Sequence, residues 1–301
     1  MEFRTIVDIP KPDFEIGPCE EMLFVGSCFA TEIGRRFQEE KFRAVVNPFG
    51  VMYNPASILH TIERLITQGV RTDVSRNACD IAGDTSFLTP RVVFLTLGTN
   101  HVYRLKETGE IVDNCQKRPQ SLFTEEELSV DQCADYLTKA VERLREINPD
   151  IHVVLTVSPI RYRKYGYHGS QLSKATLLLA VEKVIRDLGN PSLSSQSSLT
   201  RAASLAYFPA YEIINDELRD YRFYKEDMLH PSDQAVEYIW QRLSEVYLSD
   251  EAKAFLQEWA PLKAVLSHKP FDPDSDDYKA LMDKTMLKVA ALSEKYPNFA
   301  L

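Results

Sequence analysis

The sequence predicts a three-layer α/β/α sandwich around a central, mostly parallel five-stranded sheet, followed by a helical C-terminal extension. Three observations carry this. Strand-like apolar runs alternate with helix-like periodic segments along most of the chain. The crossovers between them are long enough to require parallel pairing with both sheet faces covered. No internal repeat or low-complexity stretch interrupts the alternation. The expected division is 1–248 for the α/β domain and 249–301 for the extension.

The elements follow in order. Residues 22–26 (MLFVG) read as a buried strand, and Phe29, Ile33 and Phe37 then fall on one face of a helix over 28–40. Residues 42–46 give a second strand, the turn Asn47-Pro48-Phe49-Gly50 follows, and 55–67 gives a helix. Residues 91–97 (RVVFLTL) form a β-branched third strand ending at Gly98-Thr99-Asn100. An inserted hairpin is expected around the turn at 107–109. Thr124 to Glu127 matches a capping box that would open a helix to about residue 148. Residues 151–157 are the fourth strand, 160–173 an exposed loop, 172–188 a helix, and the segment around 206–208 the fifth strand. Pro231 is expected at the first position of a helix to 248. Beyond it, charged helices flank a Pro/Asp-rich link at 269–276.

Composition narrows the function. With 35 basic and 44 acidic residues, a net charge of -9 and no basic block, the chain is not expected to bind nucleic acid. The 44% hydrophobic content suffices for a large core, yet no run approaches a membrane span, and the acids and prolines of the first residues do not resemble a secretory leader. A cytoplasmic location without membrane association is the expectation. Five cysteines, Cys19, Cys28, Cys79, Cys115 and Cys133, are odd in number and irregularly spaced, so no zinc or redox pair is indicated. All but Cys28 read as structural, and neither a metal nor another cofactor is called for.

Ligands in open α/β sheets bind beyond the carboxyl ends of the strands. Gly26-Ser27-Cys28, Gly50 and Gly98-Thr99-Asn100 fall at such ends, and Asp227-Met228-Leu229-His230 can return to them. A thiol at the head of a helix meets unpaired N–H groups and the positive end of the dipole, which favour the thiolate. Cys28 is therefore the preferred nucleophile. Ser27, one residue earlier, remains the alternative, or simply a helix cap.

Gly98-Thr99-Asn100 resembles the third block of the SGNH/GDSL hydrolase superfamily, G-x-N, and Asp227 to Pro231 its last block, D-x-x-H-P. Gly50 is placed like its second-block glycine. Where those hydrolases have G-D-S, this chain has Gly26-Ser27-Cys28, and its pentapeptide GSCFA is that of the GSCFA family, which is similar to them. The resemblance spans most of residues 20–245. It implies an SGNH-hydrolase-like, flavodoxin-like sandwich and an acyl-ester hydrolase or O-acyltransferase working through an acyl-enzyme, with a small-molecule or carbohydrate ester as substrate. Carried onto this sequence, His230 is the base, Asp227 its orienter, and the Cys28 N–H, Gly50 N–H and Asn100 amide the oxyanion hole. Gly26, Gly98 and His101 would line the substrate. The alternative function is a catalytically silent carbohydrate- or metabolite-binding module.

Other features admit plainer readings. His101 reads as a polar rim residue. The loop containing Arg161, Arg163, Lys164, Tyr165, Tyr167 and His168 could grip an anionic donor, though a solvated surface loop is the plainer reading. The C-terminal extension could cover the sheet edge, form a lid or support a homodimer.

Overall fold

The computed structural model describes residues 3–68, 90–115, 118–189, 204–296 and 298–299. Its main sheet has five strands, all parallel, in the order β2-β1-β3-β7-β8. Three central strands, β1 (Glu21–Gly26), β3 (Val92–Leu97) and β7 (His152–Val157), are flanked by β2 (Arg43–Val46) and β8 (Leu205–Tyr207). The central strands are long apolar runs because helices cover both of their faces.

The period of two along each strand divides the core. Phe24, Phe94 and Val154 share one register row and point to one face, where Phe24 and Phe94 stack at 4.9 Å. Helix α1 (Cys28–Glu39) covers that face with Phe29, Ile33 and Phe37. Their neighbours Leu23, Val25, Leu95 and Leu155 point the other way, against α2 (Pro55–Gln68), α3 (Val130–Ile147) and α4 (Gly166–Leu188).

The crossover from β3 to β7 carries an insertion larger than the expected hairpin. It is a three-stranded antiparallel sheet in the order β5-β4-β6, from β4 (His101–Leu105), β5 (Ile111–Val112) and β6 (Phe123–Glu127). Thr124 to Glu127, expected to open a helix, is therefore strand. These residues pair with His101 to Arg104 of β4, and the helix starts one turn later, with Ser129 as N-cap in a capping box with Gln132. Helix α4 begins at Gly166, so much of the expected 160–173 loop is helical.

After β8 come the short α5 (Ala210–Glu212), a π-helical stretch at Ile213–Leu218 and a 3-10 turn at Tyr221–Phe223. Pro231 is not the first helical residue. It forms a β-bridge with Tyr224, and α6 (Asp233–Tyr247) starts from the Ser232 cap.

Helices α7 (Asp250–Ser267) and α8 (Asp276–Lys295) make up the extension. Phe255, Trp259 and Tyr296 join the buried cluster that contains Phe37 and Phe42. The Trp259 indole donates to the Glu39 carbonyl at 3.2 Å, and Lys263 reaches the Glu40 carboxylate at 2.6 Å. Both contacts grip the C-terminal end of α1. Of the cysteines assigned structural roles, Cys19 and Cys133 are buried, with thiols pushed up to about 12 by that burial. Cys115 is half-buried, and Cys79 lies outside the described residues.

Trp259 is 2% exposed, so Trp259→Ala is expected to cost about 3–5 kcal/mol, through a cavity between α7 and α1. Urea unfolding measures it; a loss below about 1 kcal/mol would mean α7 docks without this anchor.

Candidate active site

The head of α1 is set by a backbone contact that admits only glycine. Gly26 has φ +146°, and a Cβ there would lie 2.1 Å from the Thr96 carbonyl oxygen of β3. One residue on, the Ser27 N–H donates to the same oxygen at 3.0 Å. Ser27 then acts as N-cap, its hydroxyl accepting from the Phe29 N–H at 3.3 Å, and is 2% exposed. Cys28 is the first helical residue and is half-buried. Its own N–H is among the first-turn donors that no intrahelical carbonyl can satisfy.

The loop after β2 is stapled to this turn. Asn47, at φ +42°, accepts from the Gly26 N–H at 2.8 Å through its side-chain oxygen and donates to the Thr31 hydroxyl at 2.9 Å. The Met52 N–H donates to the Gly26 carbonyl at 2.9 Å, and the Tyr53 carbonyl accepts from the Gly98 and Thr99 N–H groups, both at 2.8 Å. Tyr53 is thereby fixed between β1 and β3, with its hydroxyl 3.8 Å from the Cys28 sulfur. Burial, then the charge and hydrogen bond of Cys28, push that hydroxyl above the ordinary tyrosine range. Sequence patterns did not single out Tyr53, since a lone tyrosine in a turn carries no spacing signal.

Asp227 and His230 meet as their spacing implied. The His230 Nδ1 lies 2.6 Å from Asp227 Oδ2, and Asp227 Oδ1 accepts from the His230 and Leu229 N–H groups at 3.0 and 2.8 Å. The two backbone donors and the ring hold the Asp227 carboxyl down to about 2. Arg161 secures the loop from outside: its N–H donates to the Leu229 carbonyl and its guanidinium to the Met228 carbonyl.

Cys28, Ser27, Gly98 and His230 line one cavity of about 290 Å³, together with Tyr53, Ser158, Ile160, Tyr162 and Leu229. Arg161, Arg163 and Lys164 line it too, so this part of the basic-aromatic loop faces the cavity as well as solvent. A second cavity of about 360 Å³ shares Tyr53, Tyr162 and Lys164 with the first and extends over the inserted sheet. His101 lies on this second cavity, 6% exposed, stacked on Tyr165 at 3.5 Å. Burial pulls its imidazole below the ordinary histidine range, against the opposing pull of Glu127 and Glu125.

Two expected oxyanion donors, Gly50 and Asn100, do not line the cavity of Cys28 and His230. The Gly50 N–H donates to the Asn47 carbonyl at 2.8 Å, closing its turn, and Gly50 is exposed. The buried Asn100 amide donates to the Leu128 carbonyl at 2.8 Å, while the Leu128 N–H donates back to the Asn100 carbonyl. Asn100 thus fastens the end of β6 to the end of β3.

Beneath the cavity lies a lysine that sequence reading passed over because it sits mid-helix. Lys174 on α4 is 3% exposed and donates to the Gly98 and Ser158 carbonyls, each at 2.7 Å, bridging the ends of β3 and β7. Burial pulls its ammonium down to about 7.

A parallel α/β/α sandwich with a thiol at a helix head and a His–Asp pair, all at the carboxyl edge of the sheet, defines the class of site. The family model described as the GSCFA family matches residues 21–79 and 75–243, and that described as "GSCFA domain protein, C-terminal domain" matches 259–301. The chain belongs to the GSCFA family. No curated protein matches the sequence. Among solved structures, the chain is similar to a family 3 carbohydrate esterase from Clostridium thermocellum, at 12% identity over 83% of this chain and 100% of the other (TM-score 0.39). A carbohydrate esterase family 3 protein from Talaromyces cellulolyticus follows at 10% identity over 79% and 98% (TM-score 0.37). An acetyl esterase solved with acetate is 10% identical over 82% and 99% (TM-score 0.42).

Lys174 gives the site a pH signature. An unfolded lysine keeps its proton to about pH 10.4, so between about pH 7 and 10 the unfolded chain holds a proton the folded chain lacks. Stability from this position is therefore full above that window and falls as pH drops toward 7. Relative to Lys174→Met, the wild-type Tm is expected to rise by at least about 2 °C from pH 7 to 9.5. A Tm difference independent of pH would contradict a depressed Lys174.

Proposed function

We propose that the protein is an acyl-ester hydrolase or O-acyltransferase that forms a thioester on Cys28. The single observation that carries this reading is the shared cavity, which Cys28 at the head of α1 and His230, oriented by Asp227, both line. His230 takes the Cys28 thiol proton as sulfur bonds to the ester carbonyl carbon, leaving a tetrahedral oxyanion. Collapse of that intermediate breaks the bond to the alcohol oxygen, which leaves with the proton from His230. Water, or a second hydroxyl, then attacks the thioester with His230 again as base; the acyl group departs and the thiol recovers its proton. Asp227 holds the ring in the required tautomer and stabilises its charged form.

Tyr53 takes the place expected for Asn100. Its hydroxyl keeps its proton and lies 3.8 Å from the sulfur, within reach of an oxygen on the carbon that the sulfur attacks. With the Cys28 N–H it supplies two oxyanion donors. The cavity, with its apolar walls from Ile160 and Leu229, fits a short acyl group.

One observation favours the alternative of a silent binding module: neither Gly50, whose N–H already has a protein acceptor, nor Asn100 lines the cavity. Chemistry separates the two. Intact mass seconds after mixing with an activated short acyl ester, followed by peptide mapping, is expected to show one adduct, on Cys28. The adduct should be absent from His230→Ala, and Tyr53→Phe should slow its formation by about 10²-fold. An adduct on Ser27 would keep the enzyme and replace the nucleophile; no adduct with any acyl length would leave the binding module.

A further inference from the structure

The cavity that holds Cys28 and His230 also carries Arg161 and Arg163, in a chain whose net charge is -9. Some arginines of this acidic protein pair with carboxylates, Arg35, Arg43 and Arg104 among them, and others do not. Arg161 and Arg163 stand apart because they line the cavity of Cys28 and His230, whose lining, among the described residues, holds no carboxylate. Among the described residues, no carboxylate lies within ion-pair distance of Arg161 or Arg163. Lys164, beside them, is paired with Glu125 at 3.1 Å.

Arg161 is held in place. Its guanidinium lies 4.4 Å from the Tyr167 ring centroid and 5.5 Å from that of Tyr224, and bonds the Met228 carbonyl of the loop that carries His230. Arg163 is exposed and opens the 3-10 turn Arg163–Tyr165, which ends at Gly166 with φ +69°. The neighbouring walls, Ile160, Tyr162 and Leu229, are weakly polar and offer the two guanidiniums no counter-charge. Of the two carboxylates of the adjoining loop, Asp227 is occupied by the His230 ring and two N–H groups, and Glu226 is exposed and does not line the cavity.

We infer that the ester substrate carries an anionic group, a phosphate or a carboxylate, which Arg163 and Arg161 bind while the reacting carbonyl sits at Cys28. This rests on the acyl-transfer reading above and names the substrate class of the same site. A planar guanidinium forks onto either oxyanion, and a chain that repels anions at long range needs such a local pair to hold one.

The test uses three esters with one acyl group and one aryl leaving group: unsubstituted, carrying a carboxylate, or carrying a phosphate. In the wild type, kcat/KM for at least one charged ester is expected to exceed that of the neutral ester by tenfold or more, mostly through KM. The margin should shrink as salt rises from about 20 to 200 mM. Arg163→Gln should lower kcat/KM for the charged ester at least tenfold more than for the neutral one, and Arg163→Lys should restore part of the loss. Equal rates on all three esters, or equal losses in the variant, would overturn the inference. Calorimetric titration with phenyl phosphate and with benzoate reads the anion site without turnover. Binding that is weakened tenfold in Arg163→Gln supports the site even if no ester reacts, which would sink the acyl-transfer reading alone; no binding of either anion overturns it.

Discussion

The site depends on how closely β1 can approach β3 at their carboxyl ends. At Gly26 the backbone lies against the Thr96 carbonyl with no room for a side chain, and the chain turns there directly into α1. That contact sets the position of Ser27 and Cys28 before any side-chain interaction is made. Asn47 then clamps the turn from the β2 side, and the Tyr53 carbonyl clamps the end of β3. The head of α1 and the backbone of Tyr53 are thus fixed in three neighbouring strand ends, which is the rigid placement that the proposed chemistry calls for.

Polar groups buried below the site serve the same end. Lys174 joins the carbonyls that close β3 and β7, and Asn100 joins β3 to β6. Each satisfies strand-end groups that a covered sheet would otherwise leave unpaired. The inserted sheet in turn supports the second cavity, whose wall toward the first is shared by Tyr53, Tyr162 and Lys164. Tyr53, Tyr162, Tyr165 and His101 form a continuous aromatic row, with successive centroids 6.2, 5.1 and 3.5 Å apart, that links the two chambers.

What the sequence made legible follows from how strongly each signal is local. Strands β1, β3 and β7 are apolar on both faces and bounded by turn residues, so their runs stand out without tertiary information. The Asp227–His230 pair is set by a three-residue spacing and closes within its own loop. The start of α3 was misplaced at Thr124 because Thr124 to Glu127 matches a capping box as Ser129 to Gln132 does. The free edge of β4 took the first of them into a sheet, a long-range choice that no local pattern records. Asn100 and Gly50 sat in the expected order, but whether their N–H groups face a cavity depends on Leu128 and Asn47. Tyr53 and Lys174 gained their positions only when distant strand ends converged around them.

The coupling of His230 to Cys28 is the point on which the account stands, and thiol reactivity reads it without a substrate. The measurement is the rate of Cys28 alkylation by iodoacetamide at neutral pH in the wild type and in His230→Ala, with the half-buried Cys115 as internal reference. The account expects Cys28 to react at least about tenfold faster in the wild type while Cys115 reacts alike in both. The same Cys28 to Cys115 ratio in both proteins would contradict it.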